Sequence, residues 1–172
     1  ALPIYYRKYC VNAGAVRALG LPKFDSLYHR EKFKLDEDLV ARIGGRKVCL
    51  WKVHFPKIFE EGGKDIFVTP DVNEYIKFAE YASNNKDVFF IFMPHPRFQE
   101  PVKNKTLQEL ANRLVNTLEE IDNVYIDRKD DYRFSLVNAD MIIIDRSAVM
   151  VEAAAVDVPV LYMVNEQFYE PV

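Results

Sequence analysis

Two of the chain's three histidines come at the ends of apolar runs of strand length. His54 follows Val48–Val53, and His95 follows Val88–Met93 with one proline on each side. A histidine fixed at the end of a strand can donate to a phosphate or stabilise charge on a leaving pyrophosphate. We therefore predict that both histidines are catalytic and that the nearby Arg97 binds phosphate. The alternatives are a structural role for His95 and a surface position for Arg97.

A third apolar run, Met141–Ile144, is followed by Asp145 and the residues Arg146-Ser147-Ala148. A helix that opens with small residues offers free backbone N–H groups and a positive dipole end to an anion. We predict a phosphate site here, in which Ser147 adds a hydroxyl, Ala148 permits close approach and Arg146 adds a charge. The alternative for Ser147 is a plain N-cap.

Glu152 is the only charged residue in the segment 148–156, which is otherwise apolar on every side. We expect such a helix to be largely buried, and a buried carboxylate needs hydrogen-bond donors. We interpret Glu152 as an acceptor for the ribose hydroxyls of a nucleotide whose phosphates lie at the start of the helix. The alternative is a solvent-facing stripe one residue wide.

The elements that would position these residues alternate along the chain. The predicted strands are 48–53, 88–93, 124–126, 141–144 and 158–163, and the predicted helices are 36–43, 72–84, one opening at Thr106, 131–138 and 148–156. Residues 54–70 are expected to form a long loop. The strands are apolar throughout, which is typical of a parallel sheet covered on both faces. We predict a three-layer α/β/α domain of Rossmann type with a mainly parallel sheet, which binds ligands at the carboxyl ends of its strands.

The length of 172 residues suits one domain with a single substantial core. Because Gly20 and Pro22 are typical of a turn, we expect residues 1–24 to be a linker and residues 25–172 to be the nucleotide-binding domain. The chain starts at Ala1 without a methionine and stops directly after a strand-like segment. We therefore expect it to be a fragment of a longer two-domain protein.

Composition excludes several classes of function. The net charge of −3 disfavours nucleic acid, whose binders usually carry a basic stripe. Two cysteines give no disulfide framework, so a reducing compartment is expected, with Cys49 as a small buried hydrophobe. No metal motif, Gly-x-Gly-x-x-Gly or P-loop is present, so no cofactor is expected, and Asp127–Asp131 is interpreted as a solvated helix start. No apolar run reaches the ~18 residues that span a bilayer, and the expected location is the cytoplasm.

Five segments, in order along the chain, resemble the motifs of one family. They are Gly20–Asp25, Leu50–His54, His95-Pro96, Asp130–Tyr132 with Asn138–Asp145, and Val158–Tyr162. They are similar to a Gly-x-Pro-x-x-Asp start, a Trp-x-Pro-His-like strand end, a His-Pro pair, a run ending in Thr-Asp-Tyr-Ser-Ser, and a Lys-Pro-Val-hydrophobic-Tyr strand. Together they resemble the C-terminal, donor-binding domain of the CDP-glycerol glycerophosphotransferases, GT-B-fold enzymes that build teichoic-acid-like and capsule polymers. The resemblance covers most of residues 20–163.

The resemblance implies an enzyme that transfers glycerol phosphate, or a related polyol phosphate, from a CDP-linked donor to a cell-envelope polymer or lipid-linked acceptor. It implies that His95 and the region of Ser147 contact the pyrophosphate and that Glu152 lies near the ribose. It also implies an N-terminal half that supplies the acceptor site and a general base, so that the isolated domain would not turn over. Peripheral association with the inner face of the cell membrane, through the rest of the protein, is an alternative to a free cytoplasmic location.

Three departures from the family's pattern leave the donor open. Arg146 and Ala148 stand where the family has tyrosine and a second serine, and Val53 stands where it has proline before the histidine. A GT-B glycosyltransferase or nucleotide-sugar epimerase that uses a nucleotide-sugar is one alternative. A nucleotide-binding module that has kept the fold and lost the chemistry is another.

Overall fold

The predicted alternation of strands and helices is present in the structure. The computed structural model describes residues 22–55, 58–61, 64–67, 69–100 and 105–163. The helices are α1 (Pro22–Tyr28), α2 (Glu37–Ile43), α3 (Val72–Asn84), α4 (Lys105–Glu119), α5 (Arg133–Val137) and α6 (Val149–Ala155), with a 3-10 turn at Arg30–Lys32. The strands are β1 (Lys47–Val53), β2 (Ile58–Glu61), β3 (Lys64–Phe67), β4 (Val88–Pro94), β5 (Val124–Ile126), β6 (Met141–Ile144) and β7 (Val160–Tyr162). Cys10 and most of the predicted linker, residues 1–21, lie outside the described residues.

Five strands form one parallel sheet in the order β5-β4-β1-β6-β7. From the central strand β1 the chain runs outward through β4 and β5, and then crosses to the other side for β6 and β7. The direction of winding therefore reverses between β1 and β6, and the crevice at this reversal is where open α/β sheets bind ligands. The predicted Rossmann-like α/β/α architecture is confirmed.

Both faces of the sheet are buried, because successive side chains on a strand point to opposite faces. On one face, Trp51 and Phe92 pack with the apolar sides of α3 and α4. On the other, Leu50 and Ile142 pack with residues from α1, α2, α5 and α6. Cys49 is buried as predicted, and burial raises the pKa of its thiol to about 12.

The ends of two helices follow the predicted local chemistry. The side chain of Asp71 accepts a hydrogen bond of 3.0 Å from the Asn73 N–H and so caps α3. Helix α2 ends at Gly44, whose φ of 59° lies in the left-handed region that glycine tolerates. None of the helices in the described part of the chain is long and apolar enough to cross a bilayer.

The structure differs from the sequence predictions in several places. The predicted loop 54–70 contains an antiparallel hairpin of β2 and β3, whose signal is the pair Gly62-Gly63 between two short β-forming segments. The expected turn near Pro22 is the start of α1, because proline is favoured at the first position of a helix. Helix α1 therefore crosses the predicted boundary between residues 24 and 25, which itself stays a prediction.

The expectation of a largely buried α6 is wrong for its outer side. Val149 and Ala153 face the core, whereas Met150 and Val151 are exposed. The edge strand β7 is likewise exposed at Leu161. An all-apolar composition therefore did not distinguish the inward from the outward side of this helix.

Candidate functional site

Three predicted site segments meet at the carboxyl edge of the sheet. His54 follows β1, His95 follows β4, and Asp145 follows β6, and these strands are neighbours in the sheet. The rings of His54 and His95 have centroids 4.9 Å apart. Parallel pairing therefore brings together two histidines that are 41 positions apart in the printed sequence (95 minus 54). Their catalytic roles stay predictions.

The surroundings of His95 fix the position of its proton. The Arg97 backbone N–H donates to His95 Nδ1 at 3.1 Å, so the proton of the neutral ring is on Nε2. The His95 backbone N–H donates to the Val53 carbonyl oxygen at 2.8 Å, which continues the pairing of β1 with β4. Burial, followed by the positive charge of Lys52, lowers the pKa of His95. His95 is therefore a neutral hydrogen-bond donor at physiological pH.

His54 has the opposite tautomer. Its Nδ1 lies 2.9 Å from the Phe55 carbonyl oxygen, which can only accept, so in the neutral ring Nδ1 carries the proton and Nε2 carries the lone pair. The Phe55 ring packs on both imidazoles, with centroids 4.1 Å from His54 and 4.9 Å from His95. The pair thus offers one N–H donor and one basic nitrogen side by side.

Arg97 lies at the rim of this cluster. Its guanidinium is 4.8 Å from the centroid of the Phe55 ring and is ion-paired to Glu100 at 2.6 Å. The Arg97 side chain is 59% exposed and the Glu100 side chain is 50% exposed, so this ion pair contributes little to stability. The predicted phosphate contact would require the guanidinium to share itself between Glu100 and a ligand.

Asp145 ties the switch-point loops together. Its carboxylate is buried and accepts the His54 backbone N–H at 2.9 Å on each oxygen, and it also accepts the hydroxyl of Tyr75 from α3. Burial raises the pKa of Asp145 and, together with the charge of Asp145, raises that of Tyr75. Asp145 therefore positions the backbone at His54. The sequence signal for this contact was weak, because Tyr75 fits the apolar side of α3 equally well.

Lys52 is the site residue that the sequence predictions missed. It stands on β1 opposite Met93 of β4 and Ile144 of β6, and its side chain is only 7% exposed. Its Nζ donates to the Val53 carbonyl oxygen at 3.1 Å. Burial lowers its pKa to about 8, although Asp145 opposes the shift. The available signal was a lysine inside an apolar run that had to be buried on both faces.

The predicted phosphate segment at the start of α6 is only partly turned toward solvent. Arg146 and Ala148 are exposed, and Ser147 is half-buried. The Ser147 hydroxyl oxygen accepts the Val149 N–H at 3.3 Å, but the N-cap of α6 is Ala148, so the alternative of a plain N-cap at Ser147 is wrong. Phosphate binding by these three residues stays a prediction.

Glu152 lies in a second polar cluster, with Lys23 of α1 and Tyr132. The carboxylate is 3% exposed, so the alternative of a solvent-facing stripe is wrong. It accepts the Tyr132 hydroxyl and forms an ion pair of 2.5 Å with Lys23. This hydrogen bond raises the pKa of Lys23, and burial raises that of Tyr132. The predicted contact of Glu152 with a ribose stays a prediction, and a ribose would share the carboxylate with these donors.

Two clefts open along the same edge. One of about 340 Å³ is lined by Pro94, His95, Pro96, Phe98, Gln99 and residues 127–130, and one of about 320 Å³ is lined by Lys23 and residues 130–133. They share Asp130 and so extend from His95 toward the Glu152 cluster.

In the acidic run, Asp127 accepts the Ser135 hydroxyl at 2.6 Å and Asp131 accepts the Arg133 N–H at 3.1 Å. No group of three or more His, Cys, Asp or Glu side chains in the described part of the chain is arranged to hold a metal ion.

The fold and the arrangement of this edge define a Rossmann-like α/β/α domain with two histidines and a buried lysine at the carboxyl ends of its central strands. In comparisons with known proteins, no family model and no curated sequence matches the chain. The likeness to the glycerophosphotransferases therefore rests on the five short segments and their order.

Proposed function

We propose that the chain is the donor-binding half of a GT-B enzyme that transfers glycerol phosphate, or a related polyol phosphate, from a CDP-linked donor. The acceptor is a hydroxyl of a cell-envelope polymer or lipid-linked molecule. The observation that supports this best is the pair of histidines with opposite tautomers at the switch point. One ring offers a donor for a charged phosphate oxygen, and the other offers a base for a hydroxyl.

The proposed reaction needs both the N–H donor and the basic nitrogen. The acceptor hydroxyl oxygen attacks the phosphorus that carries the glycerol, and the bond from that phosphorus to the bridging oxygen breaks. The electron pair of that bond leaves with CMP, whose new negative charge is stabilised by the Nε2–H of His95. The proton of the acceptor hydroxyl goes to a base, for which His54 Nε2 is the candidate within this chain. Because the lowered pKa keeps His95 neutral, it donates a hydrogen bond without losing its proton.

The two clefts support the assignment of the nucleoside. They run from His95 to the Glu152 cluster, so a diphosphate beside His95 would direct its nucleoside along Asp130. Glu152, in this proposal, accepts a ribose hydroxyl as a third partner beside Lys23 and Tyr132. The predicted phosphate ligands Ser147, Ala148, Arg146 and Arg97 complete the proposed donor site.

Isothermal calorimetry with CDP-glycerol and UDP-glucose tests the proposal. We expect CDP-glycerol to bind, and His95→Ala to weaken binding about tenfold or more, equivalent to about 1.4 kcal/mol or more. His29→Ala is the matched control, because His29 is exposed and its side chain contacts Glu31. Binding of UDP-glucose without CDP-glycerol would favour the sugar-transferase alternative, and binding of neither would reject a donor site. If CDP-glycerol binds but the protein purified from its native cells releases no CMP, the non-catalytic module is favoured.

A further inference from the structure

Lys52 is a buried cation that no carboxylate contacts directly in the described part of the chain, although the buried Asp145 is close enough to raise its pKa. Its ammonium group has three N–H donors, and the hydrogen bond found for it within the described residues uses one of them, on the Val53 carbonyl oxygen. No ion pair to Lys52 occurs among those residues. The nearby carboxylate of Asp145 already accepts the His54 N–H and the Tyr75 hydroxyl.

A buried ammonium group of this kind lowers the stability of the fold, which points to a functional reason for its presence. Burial of an ammonium group with one neutral acceptor lowers the stability of the folded state, and an apolar residue of similar size would avoid this cost. The side chain is nevertheless held at the carboxyl end of the central strand, between Met93 and Ile144. This is the strand end that borders the switch point, where the ligand is expected.

We infer that Lys52 is the cationic ligand of a phosphate group bound at the switch point, beside His54 and His95. A compact ammonium group is a strong phosphate ligand, and its two remaining donors are those that a pair of phosphate oxygens would accept. The inference rests on the proposed function for the identity of the donor. The anion site itself would accept any ligand that carries a tetrahedral oxyanion.

Anion binding at Lys52 is linked to proton uptake. The free ammonium group has a pKa of about 8, and a bound anion raises it, so binding at pH 8 takes up protons and weakens as the pH rises further. Lys52 interacts electrostatically with Asp145 and His95, and the charged or titratable groups next to these two are His54, Arg97 and Tyr75. The pKa of His95 is lowered from 6.5 and that of Tyr75 is raised from 10.0, so neither titrates near pH 8.

Calorimetry at pH 8 in two buffers of different ionisation enthalpy tests the inference, with inorganic sulfate and CDP-glycerol as probes. Neither probe has a group that titrates near pH 8. We expect the wild-type chain to take up protons with either probe. Lys52→Met should lose this uptake and bind about tenfold more weakly or worse. Lys47→Met is the control, since Lys47 lies at the other end of β1, exposed and paired with Asp140.

The outcomes separate the inference from the proposed function. Sulfate binding that depends on Lys52, without binding of CDP-glycerol, supports the anion site and rejects the CDP-linked donor. If CDP-glycerol binds equally well to the wild type and to Lys52→Met, the CDP-linked donor is supported and the role of Lys52 is rejected. If neither probe binds, both the inference and the proposed function are rejected. We expect Lys52→Met to keep or raise the Tm, because it removes a buried charge. If the variant does not fold, the wild-type measurement decides, since binding without proton uptake at pH 8 overturns the inference.

Discussion

Two clusters at the edge of the sheet each contain a carboxylate, a tyrosine and a lysine, in different arrangements. Each has a buried carboxylate that accepts a tyrosine hydroxyl: Asp145 with Tyr75, and Glu152 with Tyr132. Each also has a lysine nearby. Lys23 is ion-paired to its carboxylate at 2.5 Å, whereas Lys52 is hydrogen-bonded to a backbone carbonyl.

The lysines respond in opposite directions. The pKa of Lys23 is raised by its bond to Glu152, and the pKa of Lys52 is lowered by burial. The Glu152 cluster is thus complete within the chain and ties α1 to α6. In the switch-point cluster, the one hydrogen bond found for the Lys52 ammonium group leaves two of its N–H donors for a bound anion. The comparison shows that similar side chains can either pair directly with one another, as Lys23 does with Glu152, or keep donors available for a ligand, as Lys52 does.

The largest expected effect tests whether Asp145 organises the switch point. Asp145→Ala leaves the His54 N–H and the Tyr75 hydroxyl without their acceptor in a buried place. We expect the free energy of unfolding to fall by about 3–5 kcal/mol, measured by urea denaturation. Asp145→Asn retains one acceptor oxygen and should cost clearly less. Equal losses for the two variants would show that the hydrogen bonds are not the cause.

The second effect distinguishes the lysines by pH. Since the folded pKa of Lys52 is about 8 and its ordinary value is 10.5, the unfolded state binds more protons between these values. The free energy of unfolding of the wild type, relative to that of Lys52→Met, therefore rises with pH across this window by up to about 3 kcal/mol. The raised pKa of Lys23 predicts the opposite sign relative to Lys23→Met, with stability lost only above pH 10.5. Parallel pH profiles for the two differences would remove the contrast between the clusters.

A third effect tests the Glu152 cluster itself. Glu152→Gln keeps the shape but removes the charge that pairs with Lys23, and we expect a loss of about 2 kcal/mol in the free energy of unfolding. Glu31→Gln is the control, because Glu31 pairs with His29 on the surface. If Glu152 also contacts a ribose, the variant lowers the affinity for CDP-glycerol more than that for sulfate. An equal change for both probes would leave Glu152 with the structural role alone.

The smallest effect concerns Ser147. Its hydroxyl accepts the Val149 N–H at the long distance of 3.3 Å, so Ser147→Ala should lower stability by about 0.5–1 kcal/mol, within the usual range for one hydrogen bond, as measured by thermal denaturation. A loss of CDP-glycerol affinity beyond this structural change would support the predicted phosphate contact. Unchanged affinity would leave Ser147 with only its local hydrogen bond to Val149.

Much of the fold was predictable, because its signals are local. Val88–Met93 and Met141–Ile144 are continuous apolar runs, as expected for parallel strands buried on both faces. Asp71 and Gly44 mark helix ends through hydrogen bonding and backbone conformation within a few residues of themselves. The hairpin of β2 and β3 was missed because its strands have only four residues each.

The candidate site was predictable only as far as strand ends define it. The amino-acid sequence determined that His54 and His95 follow strands, and parallel pairing then required both to lie at one edge of the sheet. Which neighbours surround them depends on register and on contacts between distant segments, such as the 70-residue separation of Tyr75 from Asp145. Only the tertiary structure decided that the buried Lys52 contacts a backbone carbonyl, whereas Lys23 forms an ion pair with Glu152. The physical reason is that hydrogen bonding and burial act through space, where a lysine's sequence neighbours do not determine which charges lie within reach.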